Sequence, residues 1–236
     1  MIKNKSILHI NYHKKQYSDI YQSTTDFISF IEKNENLKNK NIVDVGCGAG
    51  ANLIILAKKY KNSFFLGIDK NKILIKIAKK YVKKYNLKNI KFICKDFRNI
   101  NKKQLRLKVD LILSFHFISY NSLWFDKSLS LMEKLKPRSM AHSSLFFNGF
   151  AEAKIQVNDF KKKDFNHYDV FSIEKIKKYF EKNKYKQFKF KQFYPKKKII
   201  NSKKNKMGSY TVNVKKKNLI FSGPLLQPHG FIYASK

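Results

Sequence analysis

Three glycines at alternate positions follow a short apolar run near the start of this 236-residue chain. The run is Ile42 to Val45, it contains Asp44, and Gly46, Gly48 and Gly50 come directly after it. Glycine lets the backbone approach a ligand where any β-carbon would clash, and the free N–H groups at a helix start favour electron-rich atoms. An amphipathic segment follows the last glycine. The pattern therefore predicts a strand, a tight turn and a helix that together bind a nucleotide-like cofactor.

Two more apolar segments end in a carboxylate. Ser63 to Asp69 has the pattern of a second short strand, and Ile90 to Phe97 is a third that carries Asp96 near its end. A carboxylate at the end of the second strand is well placed to accept hydrogen bonds from ribose hydroxyl groups. Asp69 also suits the N-cap of a helix that begins at Lys70, and the two roles are compatible.

These residues together resemble the class I S-adenosylmethionine-dependent methyltransferases. The glycine pattern alone also satisfies the dinucleotide fingerprint, but that fingerprint requires no acid where Asp44 stands, two residues before the first glycine. The resemblance covers roughly residues 40–145. It implies S-adenosyl-L-methionine as the cofactor, with Asp69 on the ribose, Asp96 on the adenine amino group and Phe97 against the adenine ring. The cofactor-binding residues assigned on this basis are Asp44, Gly46, Cys47, Gly48, Gly50, Asn52, Asp69, Lys70, Asp96, Phe97 and Ser114.

Strand-like and helix-like segments alternate from Asn41 to Tyr185. Val109 to Phe117 is an almost continuous apolar run, as a central parallel strand buried on both faces needs, and Ser139 to Phe147 gives a fifth strand. The alternation predicts an α/β protein with a parallel sheet covered on both faces and ligands at the carboxyl ends of its strands. The resemblance refines this to a Rossmann-like, doubly wound, seven-stranded, mostly parallel sheet with an added C-terminal β-hairpin.

Three consecutive regions are predicted within one domain. Residues 1–40 form an N-terminal helical cap, whose helix is expected between Tyr12 and Ile31 because apolar residues recur there at helical spacing. Residues 41–195 form the S-adenosylmethionine-binding methyltransferase core. Residues 196–236 complete the domain with a mobile loop over 196–206, a hairpin of Ser209 to Val214 with Asn218 to Phe221, and a last strand from Gly230 to Ala234.

The chain carries 51 Lys and Arg residues against 16 Asp and Glu, a formal net charge of +35 at pH 7. This excess favours an acidic partner such as RNA, an anionic lipid surface or a phosphorylated substrate. Only Arg98, Arg106 and Arg138 are arginines, and arginine is the residue that suits bidentate contacts in specific nucleic-acid recognition. A strongly A+T-biased genome would encode a similar composition whatever the function, so both interpretations stay open.

Cys47 and Cys94 are the two cysteines, and they give no disulfide framework and no metal-ligand spacing, so no metal is expected. Cys47 is interpreted as a small residue that fits the turn. The sequence has no apolar run of about eighteen residues and no signal-peptide pattern at its start. We therefore expect a cytoplasmic protein without an integral membrane segment, and the oligomeric state stays open.

Residues after the fourth strand normally face the transferred methyl group in the family that this chain resembles. Here they include Ser114, His116 and Tyr120. An oxygen acceptor has to lose its proton, and the unperturbed pKa of histidine, about 6.5, suits that task near neutral pH. His116 and Tyr120 are therefore the catalytic candidates. The alternative for His116 is a structural role, packed between Phe115 and Phe117 and hydrogen-bonded to the backbone.

The motifs that are missing favour an oxygen acceptor. The chain lacks the Asn/Asp-Pro-Pro-Tyr/Phe motif of exocyclic-amine methylation, and no cysteine follows the fourth strand for covalent attack on a pyrimidine. Met207 to Thr211 and Phe221 to Pro228 resemble the end of bacterial methyltransferases of sugar and surface-polysaccharide biosynthesis. The leading hypothesis is an O-methyltransferase that acts on a sugar or another small-molecule acceptor. The alternatives are an RNA methyltransferase that uses the lysine-rich surface, a non-catalytic cofactor-binding module and, more remotely, a nucleotide-dependent oxidoreductase.

Overall fold

A computed structural model of the protein describes residues 10–100, 102–121, 123–159, 164–200 and 208–236. These residues form two compact units. The first comprises the described residues up to Phe115 together with Ser128–Ala141 and Ser235. The second comprises the described residues of His116–Lys127 and His142–Ala234 together with Lys236.

The first unit is built on four strands, β1 Asn41–Val45, β2 Phe64–Asp69, β3 Ile90–Cys94 and β4 Leu111–Phe115. They are parallel and lie in the order β3-β2-β1-β4, followed by the start of a fifth strand. Besides a helical segment at residues 10–15, the helices that begin in this unit include α1 Gln22–Asn34, α2 Ala51–Lys59, α3 Lys72–Lys84 and the short α4 Lys102–Leu105. Val45 of β1 pairs with Ile68 of β2, and Asp69 of β2 pairs with Cys94 of β3. Because the strands are parallel, their carboxyl ends meet at one edge of the sheet.

Burial explains the composition of the central strands. Ile42 and Val43 of β1 and Leu111, Ile112 and Leu113 of β4 are completely buried. A parallel strand with helices over both faces has no solvent side, so it needs apolar residues at successive positions rather than at every second one. The nearly continuous apolar runs in the sequence therefore mark the centre of the sheet.

The strands of the second unit are the end of β5 Ser139–Phe147, which begins in the first unit, and β6 Ala153–Asp159, β7 Asp164–Ser172, β8 Gln187–Gln192 and β12 His229–Ser235. Three of them follow the order β5-β12-β8, and a hairpin of β6 with β7 joins this sheet through parallel pairing of β7 with β5. The helices are α5 Phe125–Glu133, which ends in the first unit, and α6 Ile173–Lys182. A separate three-stranded antiparallel sheet consists of β9 Ser209–Val214, β10 Lys217–Ser222 and β11 Leu225–Leu226.

The predicted fold class is confirmed. Seven strands follow the two orders just given, the sheet is mostly parallel, and the C-terminal hairpin forms from β9 and β10 where it was predicted. The fifth strand has the predicted bounds, Ser139–Phe147. The domain boundaries after residues 40 and 195 remain predictions. Residues 201–206 of the predicted loop and Met207 of the tail lie outside the described residues.

Two expectations about the elements are wrong. The alternation of strand and helix does not continue without interruption to Tyr185, because the antiparallel β6–β7 hairpin stands between β5 and α6. Ile155 and Val157 alternate along β6 and pack against a buried cluster that contains Tyr168, which gives this hairpin its own apolar face. The single N-terminal helix is instead two helical segments, residues 10–15 and α1, because the chain turns at 16–19 and is extended at Tyr21.

The helix after β2 also begins differently from the expectation for Asp69. Asn71 is the N-cap of α3, and its Oδ1 accepts hydrogen bonds from the backbone N–H groups of Ile73 and Leu74 at 3.0 and 3.2 Å. Asp69 therefore does not cap this helix, and its carboxylate is directed elsewhere.

Within the residues that the structure describes, no helix combines the length and the apolar character needed to cross a membrane.

Candidate active site

The glycine loop after β1 adopts a backbone conformation that only glycine enters without cost. Gly46, Gly48 and Gly50 have φ of 74°, 55° and 81°. The N–H groups of Gly46 and Cys47 donate to the Ile68 carbonyl at 2.8 and 3.1 Å, so the loop is tied to the end of β2. A residue with a β-carbon pays roughly 1–2 kcal/mol in this left-handed region, which explains three glycines at alternate positions.

Two of these glycines also make room for specific side chains. A β-carbon on Gly50 would lie 2.3 Å from the Phe92 ring, and one on Gly67 of β2 would lie at the same distance from that ring. A β-carbon on Gly48 would lie 2.5 Å from the ring of His13. The last glycine of the loop is therefore needed for packing as well as for its conformation.

Asp69 connects the end of β2 to the glycine loop. Its Oδ2 accepts a hydrogen bond from the Gly48 N–H at 2.9 Å, and its Oδ1 accepts one from the Asn71 N–H at 2.8 Å. The side chain is only half-buried. A carboxylate oxygen has two lone pairs, so each oxygen keeps the capacity to accept a further hydrogen bond from a ligand hydroxyl group.

Asp44 is the buried acid beneath the loop. Only 1% of the residue is exposed, and its Oδ1 has no hydrogen-bond partner within the described part of the chain. Burial raises the pKa of Asp44 well above its ordinary value, and the negative charge of Asp69 raises it further. An unpartnered buried carboxylate is costly, so this position favours a cationic or hydrogen-bond-donating ligand.

Cys47 follows the first glycine, and its thiol is not activated. Burial raises the pKa of Cys47 well above its ordinary value, and the charges of Asp44 and Asp69 raise it further. The thiolate form is therefore disfavoured, which supports the interpretation of a small residue that fits the turn rather than a nucleophile.

Asp96, after β3, forms an ion pair with Arg98. The Nε of Arg98 donates to both carboxylate oxygens at 2.9 Å, and the Arg98 backbone N–H donates to Oδ1 at 3.0 Å. The hydrogen bond from the Arg98 side chain is the main reason that the pKa of Asp96 is lowered. Phe97 beside it is half-buried. The assignment of these two residues to the adenine stays a prediction.

The other assigned residues occupy different environments. Asn52, on the first turn of α2, accepts a hydrogen bond from the hydroxyl of Thr24 on α1 at 3.3 Å. Lys70 is exposed beside Asp69, and Ser114 is completely buried within β4. Asn52 and Lys70 follow the first and second strands, at the edge where parallel strands place their ligands.

The N-terminal segment contacts the glycine loop through residues that were not assigned from the sequence. His13 lies against Gly48, and the hydroxyl of Tyr17 donates a hydrogen bond to the Ala49 carbonyl. The Tyr17 ring stacks on Tyr81 of α3, with 3.5 Å between ring centroids. The aromatic residues of this segment were interpreted as core, and nothing in their spacing indicated which loop they would contact.

His116 lies immediately after β4 in a strained, partly buried position of the second unit. Its φ of 52° is unusual for a residue other than glycine. Its backbone N–H donates to the Ser143 carbonyl at 2.7 Å, and its Nε2 lies 3.4 Å from the Ser143 hydroxyl. Burial lowers the pKa of His116 to about 4. Its Nδ1 has no hydrogen-bond partner among the described residues.

A second histidine lies beside the first. The ring of His229 meets the ring of His116 edge-on, with 5.0 Å between centroids. Burial lowers the pKa of His229 well below its ordinary value, and the neighbouring His116 lowers it further. Both rings are therefore neutral near pH 7. His116 thus contacts both His229 and Ser143. His229 was not selected from the sequence.

Two exposed aromatic residues follow His116 along the chain. Tyr120 is 43% exposed, and its ring centroid lies 6.1 Å from that of Tyr168. Trp124 is also exposed, and the ammonium groups of Lys154 and Lys175 lie 3.8 and 5.3 Å from its ring centroid. Sequence reasoning selected Tyr120 but missed the tryptophan and its lysines, which are brought together by the β6–β7 hairpin and α6.

Residues 36–141 match the family model described as a methyltransferase domain. An uncharacterized protein of Rickettsia prowazekii is 45% identical over 56 residues, which are 24% of this chain and 10% of that protein. A ubiquinone biosynthesis O-methyltransferase of Coxiella burnetii is 33% identical over 82 residues, which are 35% of this chain and 34% of that enzyme. The chain thus spans about a third or less of the length of these curated relatives.

The fold has a counterpart over its whole length. The crystal structure of a SAM-dependent methyltransferase from Aquifex aeolicus matches with a TM-score of 0.55 and 16% sequence identity, and the match covers 95% of this chain and 96% of that one. At 16% identity the match shows a shared fold and nothing about the substrate. The architecture is therefore the Rossmann-like fold of the class I methyltransferases, as the sequence predicted.

Proposed function

We propose, from the premise that residues 36–141 form a methyltransferase domain, that this chain transfers a methyl group from S-adenosylmethionine to an acceptor. The matched residues include the glycine loop, the acids Asp44, Asp69 and Asp96 near the carboxyl ends of the first three strands, and His116. They therefore contain all the residues that the sequence assigned to the cofactor.

The Oδ1 atom of Asp44, beneath the glycine loop, has no hydrogen-bond partner among the described residues, and this supports the proposal most directly. S-adenosylmethionine supplies an electrophilic methyl group on a positively charged sulfur, and its amino group is a second cation. A buried carboxylate oxygen that lacks such a partner fits this ligand, because the ligand would compensate the charge that burial penalises. Asp69 keeps lone pairs for the ribose hydroxyl groups while it holds Gly48.

The same geometry argues against a dinucleotide. In a dinucleotide fingerprint the loop N–H groups face a pyrophosphate. Here the Gly48 N–H already donates to the Asp69 carboxylate, and Asp44 adds a second acidic group nearby. A doubly negative pyrophosphate would meet two acids at this loop, whereas a sulfonium would meet complementary charge.

For the acceptor we infer an oxygen atom on a sugar or another small metabolite. Neutral His116 has an unpartnered Nδ1 that can accept a hydrogen bond from an acceptor hydroxyl group. Its lowered pKa makes it a weak base, so its main contribution is to position the acceptor hydroxyl rather than to remove its proton. Tyr120 and Trp124 provide exposed aromatic faces for the body of the acceptor.

Two further observations support an oxygen acceptor with some negative charge. The relative from Coxiella burnetii is described as an O-methyltransferase. Lys154 and Lys175 flank Trp124. Within the described residues, Lys175 forms an ion pair with Glu152 at 2.7 Å, and no ion pair is assigned to Lys154. Sugar phosphates, uronic acids and phenols are accordingly the acceptor classes to test first.

The test is methyl transfer by the purified chain, followed as formation of S-adenosylhomocysteine. The acceptor panel contains neutral sugars, acidic or phosphorylated sugars, phenols and single-stranded RNA. Turnover with a hydroxylated small molecule is the expected result, and it should fall in a Trp124→Ala variant but not in a His167→Asn control. Turnover with RNA alone would replace the small-molecule acceptor, and cofactor binding without turnover on any class would favour a non-catalytic module.

A further inference from the structure

The acidic residues are unevenly distributed along the chain. All 16 Asp and Glu residues lie at or before Glu181, whereas the segment from Lys182 to Lys236 contains 15 lysines and no acid. A genome-wide compositional bias acts on every part of a sequence and does not remove acids from one part only. The C-terminal lysines therefore carry a positive field that the neighbouring sequence does not neutralise.

Two lysine triplets meet on one exposed surface of this segment. Asn218 Nδ2 donates to the Pro195 carbonyl at 2.8 Å, and the Thr211 N–H donates to the Ile199 carbonyl at 3.0 Å. These bonds hold the irregular segment 195–200 beside the β9–β10 hairpin. The resulting basic hairpin surface consists of Lys196, Lys197, Lys198, Ile199, Ile200, Val212, Val214, Lys215, Lys216 and Lys217, all of them exposed.

The hairpin tip places lysines where the backbone disfavours them. Lys215 and Lys216 form the two-residue connection between Val214 and Lys217, with φ of 46° and 64°. A turn with positive φ at both central residues normally contains Asn-Gly, because a longer side chain pays a steric cost there. Strain that a chain retains at an exposed position points to a use for the side chains.

We propose that the basic hairpin surface binds the surface of an anionic lipid bilayer. Aliphatic side chains accompany the lysines, with Ile200 89% exposed and Val212 and Val214 more than 40% exposed. Aliphatic residues beside lysines gain free energy when they enter the boundary of headgroups and acyl chains, while the ammonium groups meet anionic headgroups. This inference does not depend on the proposed methyl transfer.

The same residues fit RNA less well. The segment contains no arginine, and its most exposed apolar side chains are aliphatic rather than aromatic. Single-stranded nucleic acid is held by lysine and arginine on phosphates and by aromatic rings that stack on bases. Ile200, Val212 and Val214 would have no partner of that kind.

The experiment is sedimentation of the full chain with phosphatidylcholine vesicles, with and without phosphatidylglycerol. Binding to the anionic vesicles alone is expected. Each lysine near an anionic surface contributes roughly fivefold to partitioning, so a Lys196→Gln/Lys197→Gln/Lys198→Gln variant should bind at least 10-fold more weakly. The control Lys79→Gln/Lys80→Gln/Lys83→Gln removes the same charge from exposed lysines of α3 and should bind like the unaltered chain.

Two further variants separate membrane binding from general charge and from folding. Lys215→Asn/Lys216→Gly gives the turn its preferred residues, so it should raise thermal stability while it weakens vesicle binding severalfold. Ile200→Ser keeps every charge and should also weaken vesicle binding, without changing retention on single-stranded RNA. Equal losses in the α3 control, no effect of Ile200→Ser, or tighter binding to RNA than to anionic vesicles would each overturn the proposal.

Discussion

The carboxylate of Asp69 accepts a hydrogen bond from the backbone N–H of Gly48 at 2.9 Å, so the acid that ends β2 holds the loop that follows β1. The two strands are neighbours in register, with Val45 opposite Ile68. A residue assigned to the cofactor ribose therefore also fixes the shape of the loop that the cofactor has to contact. The assignment of Asp69 to the ribose therefore predicts that cofactor binding and loop geometry are coupled through one side chain.

Replacement of Asp44 by asparagine should separate stability from cofactor binding. The charged form of Asp44 is penalised by burial and by Asp69, so Asp44→Asn should raise the free energy of unfolding of the cofactor-free protein at pH 7. The variant should bind S-adenosylmethionine more weakly, because it removes the charge that the sulfonium would meet. Chemical denaturation and calorimetric titration measure the two effects.

The sign of the pH dependence follows from the raised pKa of Asp44. The native state holds the proton more tightly than the unfolded chain, so the penalty is complete above the native pKa, shrinks as the pH falls towards the unfolded value of about 3.9, and is absent below it. The stability difference between Asp44→Asn and the unaltered protein should therefore shrink at low pH. A difference that grew as the pH fell would contradict the burial argument.

The Gly50→Ala variant should be strongly destabilised. Its β-carbon would lie 2.3 Å from the Phe92 ring in a left-handed backbone with φ of 81°. The conformation alone costs roughly 1–2 kcal/mol, and the contact with the ring adds to it. Urea unfolding of Gly50→Ala, Phe92→Leu and the double variant tests this. The double variant should recover part of the loss, and strictly additive effects would show that the ring is not the obstacle.

His116→Asn tests the assignment of the acceptor side. Asparagine tolerates positive φ better than most residues, so the backbone at 116 should be preserved. We expect cofactor affinity to be retained while turnover falls roughly 100-fold, because the acceptor hydroxyl would lose the group that orients it. Full turnover across the pH range would assign His116 a packing role instead.

The buried histidines also predict how stability depends on pH. Burial lowers the pKa of His116 to about 4 and that of His142 to about 3, whereas both titrate near 6.5 when unfolded. Between these values the unfolded chain binds more protons, so the free energy of unfolding should fall as the pH drops below about 6.5. Each histidine contributes at most about 1.4 kcal/mol per pH unit. Urea unfolding of His116→Asn should give a shallower decline than urea unfolding of the unaltered protein.

The sequence predicted the glycine loop and the acids around it because these signals are local. The glycines that bend the loop, the acid before them and the acid after β2 all lie next to the strand ends that position them. His13 and Tyr17 were not assigned to the loop, because Tyr17 and Ala49 are 32 residues apart and tyrosine is also an ordinary core residue.

The acceptor half depends on contacts between distant segments and was predicted less completely. His116 was selected because it directly follows a predicted strand. Trp124 contacts lysines on β6 and α6, and β6 belongs to a hairpin that the alternation of elements did not reveal. The strained φ of His116 was equally invisible, since it is imposed by the chain around it rather than by the residue type.

The most direct test of the central claim is calorimetric titration of the purified protein with S-adenosylmethionine and, separately, with NAD. The account predicts binding of S-adenosylmethionine and none of NAD. It also predicts that Asp69→Asn weakens the binding by roughly 1.5–3 kcal/mol, as for a lost hydrogen bond to a charged group, whereas the exposed control Asp19→Asn has no effect. Binding of NAD in place of S-adenosylmethionine, or unchanged affinity in Asp69→Asn, would contradict it.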